Sequence, residues 1–393
     1  MDTNANRILP EILLHVFSYL PFLDIYRVSQ VSHAWRFWSR EQLYSKPMLT
    51  ESTSLPLFLR TLLTPGLESL AAHVRNLNVR SRPSDLSTID QSDDAIIRGA
   101  ATRLGLGHPV ISTGDHILLL LHQLPRLDVL TLDLRDEPDT LDNFLCGTHE
   151  PEDLPAALRS ISRFSYEWPP RESDQIPQKL LTMFGLPRVH TLLLFTLDVI
   201  EVSFPTSQHH SSAVTALVIS NSLIASSSLG HMLQLPRALT RLYFTGTITD
   251  VAGLQAAMEP LRMTLQELEF VVEDDPWSAQ VAVRPPPQSF RTWPVLRRLR
   301  CQLMFLLGCT LETDINYLEH VLPPCIRYFG VITEGDWNYN DVGRKAAHLM
   351  GRKQMVVPEL ERFVCFTGWM DVEVAQLLLI ACVDAGVVLT NDW

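Results

Sequence analysis

Positive charge is scarce in this chain: 32 Lys and Arg face 44 Asp and Glu, a net charge of -12 over 393 residues. A general nucleic-acid binder needs a basic face to release phosphate counterions, and this balance argues against one. Residues 1–50 hold five basic and four acidic side chains, so the acidity belongs to the remainder, at -13. Cysteine is sparse too, with six at positions 146, 301, 309, 325, 365 and 382 and no paired metal-ligand spacing. They read as reduced core residues of an intracellular protein. No Asn-x-Ser/Thr acceptor occurs, and the N-terminus lacks a basic start followed by an apolar run and a cleavage site. The longest apolar stretch, Leu377 to Leu389, is broken by Asp384 and falls short of the ~20 residues that span a bilayer. A soluble chain without membrane contact, cytoplasmic or nuclear, is expected.

Recognisable chemistry is equally scarce. There is no Gly-x-x-x-x-Gly-Lys phosphate loop and no Gly-x-Ser-x-Gly elbow. Gly105-Leu106-Gly107 lacks the third glycine of a dinucleotide loop and reads as a helix end or turn. His209-His210 sits in a Ser-rich loop with no further spaced ligand, and Glu273-Asp274-Asp275 lacks the alternating oxygens of a calcium loop. Arg284-Pro285-Pro286-Pro287 reads as a stiff loop. The densest basic cluster is Arg297, Arg298 and Arg300. On a strand Arg298 and Arg300 share a face, either as a salt-bridged surface or as a site for an acidic or phosphorylated partner. No catalytic residue, metal or cofactor is implied.

What is present begins at the N-terminus. Hydrophobic residues make up 46% of the chain, which excludes disorder as its general state. Pro10 suits a first helical turn, and Ile12, Leu13, Val16, Phe17 and Leu20 recur at helical spacing. The spacing predicts a helix over residues 10–20, stopped by Pro21. A second, capped by Asp24, carries Ile25, Val28 and Val31, and a third, capped by Ser32, carries Trp35 and Trp38. Three helices in under fifty residues cannot bury all these side chains among themselves, so something else must cover part of the apolar surface.

This segment resembles an F-box. The pattern is carried by Leu9-Pro10-Glu11-Ile12-Leu13, Leu20-Pro21, Asp24 and Val31 to Trp35, with Ser32 at a position where cysteine is common in the family. The resemblance covers about a tenth of the chain.

Beyond residue 50 a loose repeat appears: an apolar residue, two variable ones, a second apolar residue, one variable, and a third apolar residue. It fits Val74-Leu77-Val79, Leu127-Leu130-Leu132, Ile161-Phe164-Tyr166, Val189-Leu192-Leu194 and Val214-Leu217-Ile219. It continues through Leu239-Leu242-Phe244, Leu265-Leu268-Phe270, Leu296-Leu299-Cys301, Ile326-Phe329-Val331 and Leu360-Phe363-Cys365, with starts 25 to 34 residues apart from the second instance on. Leu-Pro pairs introduce several units, and helical spacing recurs between them, as at Leu55-Phe58-Leu59-Leu62-Leu63, Val251-Leu254-Met258-Leu261 and Ile315-Leu318-Leu322. Strand plus helix at this period resembles irregular leucine-rich repeats, although the Asn or Cys ladder position is not evident. An ordinary α/β domain with alternating strands and helices is the alternative. Segments 80–115, 135–156, 200–212, 273–292 and 333–357, rich in Pro, Ser, Asp or Gly, are expected to be loops. Asp371 to Ala385, with Asp371 as N-cap and Gly386 just beyond, is expected to cap the array.

The expected fold class is therefore α/β: an N-terminal three-helix F-box over residues 1–50, then a leucine-rich-repeat-like α/β solenoid over 51–393. In combination these resemble F-box proteins of mushroom-forming fungi. The resemblance implies a substrate-recognition subunit of a Skp-cullin-F-box (SCF) ubiquitin ligase, which binds a Skp-type adaptor, and through it cullin and RING subunits, and holds a protein target with no catalytic residues of its own. Carried onto matching positions, Leu9, Pro10, Ile12, Leu13, Leu20, Pro21, Val31 and Trp35 form the adaptor interface and its support. Outward strand residues, including Asp133, Tyr243, Thr245, Glu269, Arg298, Arg300 and Gln302, are expected to face the substrate; a one-residue register slip would reverse that set. Two other classes stay open: an F-box scaffold acting outside a ligase, and an enzyme with an unrecognised α/β body.

Overall fold

Alternation of apolar and variable residues puts every second side chain of a strand on one face, and each of the ten repeated patterns does so here. The computed structural model describes residues 10–50, 54–81, 94–104, 113–134, 139–147, 154–168, 175–249, 253–272, 289–302, 306, 317–332, 339–365 and 370–391. The chain divides into two compact units, Met1–Val189 and His190–Trp393.

The first unit opens with three helices, α1 (Pro10–Ser18), α2 (Phe22–Ser29) and α3 (His33–Ser45). Four strands follow, β1 (Met48–Leu49), β2 (Asn76–Ser81), β3 (Val129–Leu134) and β4 (Arg163–Glu167). Each pairs in parallel with its predecessor, so that Leu77, Leu130 and Phe164 fall in one row and Val79, Leu132 and Tyr166 in the next. Parallel neighbours need a crossover, and helices fill it: Ser54–Leu63, Asp94–Arg103, Thr113–Gln123, Asp139–Cys146 and Ala156–Ser160.

The second unit continues the same logic. Its strands are β5 (Thr191–Phe195), β6 (Asp198–Val199), β7 (Ala216–Ile224), β8 (Arg241–Ile248), β9 (Glu267–Val272), β10 (Arg298–Gln302), β11 (Tyr328–Ile332), β12 (Arg362–Val364) and β13 (Val388–Thr390). All described pairings are parallel, β6 sharing β7 with β5. One row runs Leu192, Leu217, Leu242, Leu268, Leu299, Phe329, Phe363 and Leu389. Within it Phe329 meets Phe363 at 5.6 Å, and in the row beside it Phe244 stacks on Phe270 at 4.8 Å. All thirty residues of the ten patterns are 5% exposed or less. Each buried Leu contributes on the order of 1.5–3 kcal/mol, so these rows are the main apolar core of both units.

One irregularity is built into the backbone. The register between β7 and β8 shifts between Ile219 and Ser222, where Asn221 adopts φ 51°. Opposite it Gly246 has φ 147°, and a Cβ there would overlap the backbone of Ser222. Only glycine lets the two strands approach at this bulge.

Several expectations need correction. The segments 80–115, 135–156 and 333–357 contain helices, at Asp94–Arg103, Asp139–Cys146, Tyr339–Gly351 and Lys353–Val356, and the helix Thr113–Gln123 begins within the end of the first. Polar neighbours concealed their apolar stripes: Ile97, Ala100 and Ala101 are buried, as are Val342, Ala346 and Met350. Asp24 does not cap α2; Pro21 holds that position and Asp24 pairs instead with Arg27 at 3.0 Å in the first turn. Helix α1 ends at Ser18 rather than residue 20. Ser32 caps α3 by accepting from the Trp35 amide at 3.2 Å. The last helix, Val372–Asp384, starts after Asp371, whose carboxylate takes a hydrogen bond from Asn340 Nδ2 at 2.6 Å. It ends on Gly386 at φ 64°, with the Val387 amide donating to the Cys382 carbonyl at 2.8 Å, a Schellman closure.

Candidate functional site

Two surfaces stand out, one in each unit. The first is the helical opening. Leu13, Phe17 and Ile25 are buried between α1, α2 and α3, and Phe17 meets Trp35 at 5.9 Å. Three short helices can build only a small core. Many other apolar residues stay outside: Ile12 is 52% exposed, Tyr19 75%, Leu23 65%, Val31 66% and Phe37 59%. Exposed apolar side chains in such density mark an interaction surface.

At its far end this module is tied to the sheet. The Arg75 amide donates to Ser45 at 2.9 Å, Tyr44 stacks on Phe58 at 6.2 Å, and β1 pairs with β2 at Met48–Asn78 and Leu49–Val79. A cleft of about 430 Å³ lies along this seam, lined by Tyr26, Arg36, Arg40, Tyr44 and Phe58 among others.

Residues 10–50 match the F-box-like family. No curated protein shows significant similarity to the chain. An F-box-like module is a protein-protein interaction module, typically docking on a Skp-type adaptor of SCF complexes. Of the residues expected to form that interface, Ile12, Pro21 and Val31 are exposed, Leu20 and Trp35 are half-buried, and Leu13 is buried beneath them. Pro10 opens α1, and Leu9 lies outside the described residues. The sequence reading passed over Val16, Tyr19, Leu23, Tyr26 and Phe37 as further members of the apolar surface of the F-box-like module. Their signal was the absence of any second apolar element in the segment large enough to cover them.

The second surface is the half-exposed face of the sheet in the second unit. Along β8 and β9 buried residues alternate with half-exposed ones, so Tyr243, Thr245 and Glu269 share the open face. Arg298 and Arg300 join them from β10. Across strands one row reads Arg241, Glu267, Arg298, Tyr328, Arg362, and the next Tyr243, Glu269, Arg300, Gly330. Tyr243 donates to Glu267 at 2.6 Å. Burial, and then that hydrogen bond, push its phenol up to about 12. Arg300 pairs with Glu269 at 2.9 Å and lies over Gly330, where a Cβ would come within 3.0 Å of its Cγ. The Arg298 guanidinium lies 4.1 Å over the Tyr328 ring. Thr245 shares a hydrogen bond with Ser220 at 2.7 Å.

Gln302 departs from this set. It is only 9% exposed, and its amide donates to the Val272 carbonyl at 2.6 Å while accepting from the Val272 amide at 3.2 Å. It extends the ladder past the end of β9 and presents nothing to a ligand. Asp133 occupies the corresponding half-exposed position on β3 in the first unit, in the row of Arg80 and Glu167. Sequence reasoning missed Arg241, Glu267, Tyr328 and Arg362, although each stands directly before the second apolar residue of its unit.

Gly105-Leu106-Gly107, Glu273-Asp274-Asp275, Arg284-Pro285-Pro286-Pro287 and Cys309 lie outside the described residues. His210 sits in a left-handed turn with its ring 3.3 Å from the Pro236 carbonyl. Among the described residues no group of three His, Cys, Asp or Glu is placed to hold a metal ion, and no helix is long and apolar enough to cross a membrane. Burial raises the thiols of Cys301, Cys365 and Cys382, the latter two to about 12 and about 11. They are protonated core groups rather than nucleophiles.

Proposed function

We propose that the chain is the substrate-recognition subunit of an SCF-type ubiquitin ligase. Helices α1 to α3 dock on a Skp-type adaptor through Ile12, Pro21, Val31 and Trp35, with Leu13 and Leu20 in support and Leu9-Pro10 at the entry to α1. Adaptor binding brings cullin and RING subunits, and the α/β body, an irregular leucine-rich-repeat-like solenoid, holds the target. The observation that carries this reading is the apolar surface of the F-box-like module, too large for the module to cover by itself. The strand-by-strand recurrence of the buried pattern supports the solenoid. The open sheet face with Tyr243, Thr245, Glu269, Arg298 and Arg300 serves as the substrate surface, and Asp133 offers the equivalent half-exposed position in the first unit. The chain then accelerates transfer by proximity, raising the effective concentration of a target lysine near the charged conjugating enzyme.

Affinity capture of the intact chain, followed by detection of adaptor and cullin, tests this. The Leu9→Ala/Pro10→Ala chain should lose the adaptor and, with it, cullin. Adaptor retained by that variant would remove the docking assignment. Adaptor without cullin in captures of the unaltered chain would convert the reading to a scaffold outside a ligase.

A further inference from the structure

The substrate surface proposed above carries a charge pattern that becomes visible only across strands. In the row Arg241, Glu267, Arg298, Tyr328, Arg362, every second strand of β8, β10 and β12 contributes an arginine. The acids on this face are already engaged, Glu267 by the Tyr243 hydroxyl and Glu269 by Arg300. Arg241, Arg298 and Arg362 form no ion pair with any described residue. The Arg298 guanidinium lies 4.1 Å over the Tyr328 ring, and its buried Nε has no hydrogen-bond partner among the described residues. A guanidinium steadied over an aromatic ring, with no ion pair of its own, can present its terminal N–H fork to a carboxylate.

Spacing narrows the ligand. Arginines on alternate strands stand about 9.6 Å apart at the backbone, twice the ~4.8 Å strand separation. A polyproline II peptide rises ~3.1 Å per residue with three residues per turn, so side chains on one edge recur at about 9.3 Å. An extended β peptide repeats its face at roughly 6.8 Å, which does not match.

We propose that this arginine row binds an acidic peptide segment in the polyproline II conformation, with carboxylates at every third residue. The proposal rests on the substrate-receptor reading and names the class of substrate. Because the whole chain is at -12, long-range attraction for such a ligand is absent, and affinity must come from the local forks on the row.

The test uses the full chain without adaptor and labelled nonapeptides of one composition, rich in proline. One carries glutamate at the first, fourth and seventh positions, and another carries its three glutamates consecutively. Fluorescence anisotropy should show the spaced peptide binding about tenfold tighter or more. Arg298→Ala should reduce that binding by about tenfold, as should Arg241→Ala and Arg362→Ala, whose side chains are exposed and leave the fold intact. Arg298→Lys, which keeps the charge and loses the fork, should fall between. Equal affinity for both peptides, or insensitivity to all three arginines, overturns the proposal. Binding by a phosphoserine version alone overturns the carboxylate assignment, and preference for a single-stranded oligonucleotide overturns the peptide. Peptide binding should persist in the Leu9→Ala/Pro10→Ala chain, so failure here and failure of adaptor capture are separate results.

Discussion

Replacing Ile12 and Val31 together with alanine should weaken adaptor binding about thirtyfold without unfolding the module. Complete burial of an Ile or Val side chain is worth roughly 1.5–3 kcal/mol. Ile12 is 52% exposed and Val31 66% exposed, so covering what remains contributes about 1 kcal/mol at each. They stand on different elements, one within α1 and one beyond α2, and separate sites add to about 2 kcal/mol, which is ~thirtyfold in Kd. Exposed positions change stability by no more than ~0.5 kcal/mol, so thermal unfolding should be unaltered. Titration calorimetry with purified adaptor gives the affinity, and calorimetric unfolding of the free chain gives the control. Leu13→Ala is the contrast: at 9% exposure it should destabilise the module by about 2–4 kcal/mol. Unchanged adaptor affinity in the double variant, with the fold intact, would refute the argument that the exposed apolar surface is the docking face.

Three further outcomes follow from the second unit. Gly246→Ala forces a side chain into a positive-φ site facing the Ser222 backbone and should cost ~3 kcal/mol or more; denaturant unfolding measures it, and a loss below ~1 kcal/mol would contradict the bulge geometry. Tyr243, with its phenol pushed up to about 12 from an ordinary 10, favours the folded state in its protonated form. Its contribution is complete below pH 10 and is lost as pH rises from 10 through 12, so Tyr243→Phe should flatten the alkaline decline of stability over that window. Cys301, Cys365 and Cys382 should resist alkylation at neutral pH in the native chain and react rapidly in denaturant; mass spectrometry of the labelled peptides reports the difference.

Ten of the strands were legible because one local rule served all of them, whereas β1, β6 and β13 do not carry it. Apolar residues spaced by three and then by two, as in Leu239-Leu242-Phe244, set both the strand and the face it buries. Helices such as Thr113–Gln123 and Tyr339–Gly351 were not legible, because their flanks of Pro, Gly and Asp have loop composition and their burial depends on neighbours distant in sequence. Asp24 illustrates a smaller ambiguity: it has cap chemistry, but Pro21 already fixes the backbone that starts α2. Gln302 shows the limit of alternation at a strand end, where its amide finds the Val272 backbone and turns inward. The docking helices could be placed from their motif. The arginine row could not, because its members lie on strands separated by 57 and 64 positions in the chain, from 241 to 298 and from 298 to 362.

The pairing of β1 with β2 makes the last residues of the docking module the first strand of a sheet. Folding of the module and folding of that sheet are therefore coupled, and whatever binds one secures the other. An adaptor present at a hundred times its dissociation constant would add about 2.7 kcal/mol to the unit as a whole. On the proposed function, a chain bound to adaptor would then open far less often than a free one, and the free pool would be the fraction that proteases remove. Cellular abundance of the chain would track the supply of its adaptor, with no change in synthesis.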